Sequence, residues 1–96
     1  MDIFQDTLFR DLEKLGFTVN ESKVYLTLLK LGHSLAGKIS KEAKLDRSST
    51  YNALKLLLER GIVSIVHETK RGIYYPSNPK KIIDLKKEGN VYRKAD

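Results

Sequence analysis

The chain contains no cysteine, which excludes disulfides and thiolate metal sites. It has only two histidines, His33 and His67, in different segments and without zinc-ligand spacing. No glycine-rich loop follows a strand and opens a helix, so a nucleotide-binding fingerprint is missing. No apolar run reaches the length of a membrane span. The first residues carry acids rather than a basic leader, which argues against a signal peptide. Serines are present, but no base is marked beside any of them, and Asp11 and Glu13 fall on different faces of a helix. The expectations are no enzyme activity, no cofactor, no metal, no membrane and a cytoplasmic location.

What is present is basic charge, unevenly spread. The formal net charge is +6 over 96 residues. Residues 1–33 hold four basic and five acidic side chains, residues 34–77 eight and four, and residues 78–96 six and three. Such asymmetry suits a polyanion, through phosphate contacts and counterion release. It also suits a lysine-rich solvated surface. The length predicts a single domain over 1–96.

Hydrophobic spacing predicts the elements. Phe4, Leu8, Leu12 and Leu15 form one helical stripe over residues 2–15, ended by Gly16. Ile3 and Phe9 lie off that stripe. Thr18 and Glu21 have the spacing of a capping box for a second helix. Val24, Tyr25, Leu28 and Leu31 form its buried face, and Gly32 is its stop. A third helix spans about 35–44, with Ala36, Ile39 and Ala43 inward. "KLD" turns the chain, Asp46 caps a fourth helix over 47–60, and Gly61 ends it. Two helices joined by so short a turn form a helix-turn-helix. The β-branched "IVSIVHET", a "KRG" turn and "IYYPS" then predict a hairpin with Lys70 and Arg71 at its tip. Asn78 and Pro79 open a last helix within 78–96. The fold class is mainly α with a small β-hairpin: a winged helix-turn-helix with flanking N- and C-terminal helices.

The fourth helix, "DRSSTYNALKLLLERG", is polar at its front and leucine-rich behind. With Leu54 at the centre of the buried side and about 100° per residue, Thr50, Tyr51, Leu57 and Leu58 fall beside it. Ser48, Ser49, Asn52, Lys55 and Glu59 fall opposite. Serine can bond bases or phosphates, and asparagine can pair with adenine. Arg47 lies toward the core by angle, but its long side chain can swing to a phosphate. The same residues also read as caps and a solvated face. Leu56 falls about 160° from Leu54 and reads as an exposed leucine.

Three stretches, "LGFTVNESKVYLTLLKLG", "AGKIS" and "DRSSTYNALKLLLERGIV", resemble the N-terminal DNA-binding domain of the TrmB-like transcriptional regulators, mostly archaeal. The matching positions are Leu15, Gly16, Thr18, Glu21, Tyr25, Leu28, Leu29, Ala36, Ile39, Arg47, Ser48, Tyr51, Leu54, Leu57, Gly61 and Val63. They span about residues 12–66. The resemblance implies binding of double-stranded DNA and transcriptional control. It implies Arg47, Ser48, Ser49 and Asn52 at or near DNA, and Tyr51 and Leu54 in the core. The chain departs from the pattern in two places. Many members carry a large sugar-binding C-terminal domain and this sequence stops at Asp96, so no small-molecule effector is expected within it. Leu35 stands where a threonine often caps the third helix, leaving that role to Ser34 or to no side chain.

The predicted function is a sequence-specific double-stranded DNA-binding regulator. Helix 47–60 would enter the major groove, and the wing, 67–73, would touch backbone or minor groove. Its candidate DNA contacts are Arg47, Ser48, Ser49, Asn52, Lys55, Lys70 and Arg71. A homodimer is expected through Ile82, Leu85, Gly89 and Tyr92, an a/d-like seam on the last helix widened by Ile83, together with Ile3 and Phe9. Folding of that helix back onto its own chain is the other reading. The alternative function is a winged-helix protein-interaction module within a larger assembly. RNA binding is a third reading, and no exposed stacking aromatics favour it.

Overall fold

The computed structural model describes residues 3–68 and 70–87, apart from the Phe4 side chain. Its elements run α1 (Ile3–Lys14), α2 (Val19–Leu31), α3 (Ala36–Ala43), α4 (Arg47–Glu59), β1 (Val63–Glu68), β2 (Arg71–Pro76) and α5 (Pro79–Lys87). This is the predicted winged helix-turn-helix.

The helix ends follow local chemistry. Thr18 and Glu21 form the full capping box on α2, each backbone N–H donating to the other residue's side chain at 3.1 Å. Asp46 caps α4 by accepting from the Ser49 N–H at 3.1 Å. Leu35 precedes α3 with no side-chain cap, and the Ser34 hydroxyl donates to the Leu35 carbonyl instead. The "KLD" turn puts Lys44 in the left-handed region, with φ of 57°. The Ser40 hydroxyl donates to the Leu45 carbonyl at 2.6 Å and braces that turn. Asn78 opens α5 by accepting from the Lys80 N–H. Gly61, at φ 71°, reverses the chain after α4 in a conformation that side chains resist.

The hairpin is tighter than the sequence suggests. Glu68 pairs with Arg71. Arg71 and Gly72 therefore belong to β2, not to a "KRG" turn. Gly72 serves a packing purpose: a Cβ there would meet Ile65 Cδ1 at 2.6 Å. Ser34 adds an antiparallel bridge to Tyr74, with N–H···O bonds of 3.0 and 2.8 Å, which ties the α2–α3 loop to the wing.

One core unites all the elements. Leu8 and Leu12 of α1, Val24, Tyr25 and Leu28 of α2 and Ile39 of α3 meet Leu54 and Leu57 of α4 and Ile62 beyond it. Ile82 of α5 joins them and is fully buried. This corrects the expected seam. A fully covered Ile82 offers nothing to a second chain, because α5 folds back against α1. Leu85 is half-buried against the same core. Gly89 and Tyr92 lie outside the described residues. Asp11 accepts from Lys86 at 2.9 Å across the α1–α5 contact, and Lys81 donates to the Gly61 carbonyl at 2.7 Å.

Candidate nucleic-acid interface

Helix α4 buries Thr50, Ala53, Leu54 and Leu57. The centre of that set lies about 50° from Leu54, toward Ala53, by helical geometry. The shift follows from packing, since α2 lies against this helix. It moves Tyr51 off the buried face: the residue is 50% exposed, not in the core as angle and resemblance both implied. The same rotation makes Leu56 half-buried rather than outermost. The outward pole is Ser48, Asn52, Lys55 and Glu59, all exposed. Arg47 is exposed at the front of the helix.

Ser49 is half-buried, unlike its polar neighbours. Hydrogen bonding from Ser49, its hydroxyl first and its N–H next, holds the Asp46 carboxyl below the usual carboxylate range. Part of the polar front therefore does start the helix. Ser48 and Asn52 have no such task, and neither makes a side-chain hydrogen bond within the described residues.

The wing stands beside this helix. Lys70 and Arg71 are exposed, and with Tyr51, Gly37, His67 and Tyr74 they line a groove of about 270 Å³ between α3, α4 and the hairpin. Arg47 reaches over α3, where a Cβ built on Gly37 would lie 3.4 Å from its Nη2. Lys70 and Arg71 thus line one groove, with Arg47 near its Gly37 wall, while Lys55 is exposed on the outward face of α4 and Asn52 lines a different groove with Thr18, Ser49 and Arg60. Among the expected dimer residues, Ile3 is 82% exposed and Phe9 is half-buried. Phe9 lines a second groove with Leu26, Leu31 and Ala43.

Sequence reasoning missed Arg60. Its Nη1 donates to Glu21 Oε2 at 2.8 Å, and its guanidinium lies 4.9 Å from the centre of the Phe17 ring. The pair fixes the end of α4 to the start of α2. The capping box marked Glu21, but nothing local marked its second oxygen as an arginine acceptor.

A family model described as sugar-specific transcriptional regulator TrmB matches residues 12–80. The chain belongs to the TrmB family. It is 38% identical over 86 residues to the HTH-type sugar sensing transcriptional regulator TrmBL1 of Pyrococcus furiosus. That alignment covers 90% of this chain and 25% of the relative, so the chain spans about a quarter of that protein's length. Among solved structures, TrmBL2, described as an archaeal chromatin protein with a novel mode of DNA binding, matches with a TM-score of 0.72 at 17% identity. The match covers 88% of this chain and 32% of TrmBL2. A homodimeric winged helix-turn-helix DNA-binding domain from Mycobacterium bovis, a possible ArsR-family regulator, matches with a TM-score of 0.61 at 13% identity. Here 97% of this chain and 96% of the other are covered. At these identities the structures establish the fold of this TrmB-family chain. Among the described residues, no helix is long and apolar enough to cross a membrane.

Proposed function

We propose that this TrmB-family chain binds double-stranded DNA sequence-specifically as a transcriptional regulator, with α4 in the major groove and the wing on the backbone or minor groove. The observation that carries the reading is the outward pole of α4. Ser48, Asn52 and Lys55 are exposed and unoccupied by structural work, on the same helix whose Tyr51 lines a groove with Lys70 and Arg71 of the wing. Asn52 and Ser48 are assigned base edges, Arg47, Lys70 and Arg71 phosphates, and Ser49 mainly the Asp46 cap. Family membership supports the assignment, as does the basic charge of the last two-thirds of the sequence. No effector or cofactor is assigned within these residues, and the site of action is cytoplasmic.

Selection from a random duplex pool, followed by a salt titration on the recovered sequence, tests this. The expected result is an enriched motif and a steep fall of affinity with salt. Lys70→Ala with Arg71→Ala should flatten the log–log slope by up to about two units, one for each phosphate no longer neutralised. No duplex binding at low salt would overturn the reading in favour of a protein-interaction module.

A homodimer belongs to the same proposal, with half-sites about one duplex turn apart. Exposed Ile3 and Ile83 on α1 and α5 support it. Buried Ile82 does not contribute. Sedimentation at micromolar concentration should give a dimer, and Ile3→Glu with Ile83→Glu should give a folded monomer. A monomeric parent chain would overturn it.

A further inference from the structure

The two ends of α4 are held in different ways. Its front is set by local sequence: the Asp46 carboxylate accepts from the Ser49 N–H, and the Thr50 hydroxyl donates to the Asp46 carbonyl. Its far end is set by other elements. Arg60 donates to Glu21 of α2 at 2.8 Å, with side chains 11% and 0% exposed. The guanidinium also lies over the Phe17 ring, and the other Glu21 oxygen accepts from the Thr18 N–H. Both partners are therefore fixed in orientation. Lys81 of α5 reaches the Gly61 carbonyl nearby, but as an exposed side chain on a flexible stem.

Stability does not account for such a pair, because replacing both buried partners by uncharged groups often leaves a fold as stable. What the pair adds is direction. Apolar burial between α2 and α4 is non-directional and leaves tilt weakly determined. A charged hydrogen bond has a narrow range of lengths and angles. The lever is long. Asn52 and Ser48 precede Arg60 by about 12 and 18 Å along the helix axis, at about 1.5 Å per residue. A tilt of about 5° at that end would move them by about 1.0 and 1.6 Å. Hydrogen bonds to base edges need lengths of about 2.7–3.2 Å, so either shift is enough to break one. Phosphate contacts from Lys70 and Arg71 survive it, since those long side chains stand on the wing and not on α4. Glu21, Arg60 and Asn52 also line one groove on the flank of α4, so the anchor and the reader share a face.

We propose that Arg60, acting through Glu21, is a positioning residue for base reading: the pair sets the tilt of α4, and thereby the sequence preference of the protein, without touching DNA. The inference rests on the DNA-binding reading and deepens it. It assigns affinity for any duplex to the cationic side chains, and discrimination between duplexes to the geometry of a buried pair.

The test uses the full chain carrying Arg60→Met with Glu21→Gln, which removes one charge of each sign and keeps the net charge. Binding is compared on the sequence recovered by selection and on a scrambled duplex. The ratio of the two affinities should fall about tenfold or more, the loss of at least one base-edge pair. Affinity for the scrambled duplex and its salt slope should stay unchanged. Residual dipolar couplings of the α4 backbone amides, measured without DNA, should show the helix turned relative to α1 and α2. Thermal unfolding verifies that the double variant is folded; if it is not, Arg60→Lys decides. Lysine keeps the charge but gives up the planar fork, so the ratio should fall by a smaller factor. An unchanged ratio or unchanged couplings would overturn positioning by the pair and leave the DNA-binding reading intact. A salt slope flatter by about one unit would also overturn it, since Arg60 would then be a phosphate contact. No enriched sequence for the parent would overturn the DNA-binding reading and the inference together.

Discussion

Glu21–Arg60 and Asp11–Lys86 have nearly equal N···O distances, 2.8 and 2.9 Å. Each joins helices far apart in the sequence. Their surroundings differ. The Glu21 side chain is fully buried and both its oxygens are used, one by the Thr18 N–H and one by Arg60. Arg60 also lies over the Phe17 ring. Lys86 is 48% exposed and reaches its partner from solvent. The first pair fixes the end of the recognition helix to the start of α2. The second rests on a layer, α1 and α5, that the apolar side chain of Ile82 already holds. Equal distances therefore carry unequal consequences, because a charge left behind in the interior cannot be rehydrated.

Breaking the buried pair should have the largest effect. Arg60→Met keeps most of the side-chain volume and strands the Glu21 carboxylate. Stability in urea unfolding should fall by about 3–5 kcal/mol. Arg60→Met combined with Glu21→Gln should recover most of the loss, because glutamine can still accept from the Thr18 N–H while no charge remains buried. A single-variant loss no greater than that of Lys86→Ala would remove burial as the distinction between the two pairs.

Ile82→Ala asks what really holds the second layer. Removing a fully buried isoleucine should cost about 2–5 kcal/mol. Self-association should change no more than the loss of folded protein explains. Had Ile82 lain on an exposed seam, the substitution would spare folding and weaken association. Measuring both on the same samples separates the two arrangements.

The two layers also differ in how far they could be read from sequence. The capping box of α2, the Asp46 cap, the glycine stops and the hairpin all follow from signals a few residues long. Those signals placed the helix-turn-helix, the wing and the exposed Ser48, Asn52 and Lys55. What failed depends on where another element packs. The buried face of α4 is turned toward Ala53 by α2, so Tyr51 emerged and Leu56 sank. Arg60 meets Glu21 across 39 residues of sequence. Ile82 is buried because α5 returns to α1, and its three-and-four spacing looked the same as that of an intermolecular seam. Gly72 resembled a turn glycine until Ile65 was seen to lie across it. The groove at Tyr51 and Tyr74 combines all of these difficulties, since three separate elements build it.

The smallest effect belongs to Lys86→Ala. Its ammonium is half in water, so it can be rehydrated when the pair is broken, and salt already weakens the attraction. Asp11 is the more covered partner, with a side chain only 10% exposed, which places the loss toward the upper part of the range of about 0.2–1 kcal/mol for exposed pairs. The loss should shrink as sodium chloride is raised, because screening lowers the parent's advantage while the variant has no pair to lose. The Arg60→Met deficit should persist over the same salt range, since the buried carboxylate is largely hidden from ions. Parallel salt series on the two variants compare the pairs without assuming any absolute energy. Equal salt dependence would mean that Arg60 and Glu21 meet water far more than their positions imply.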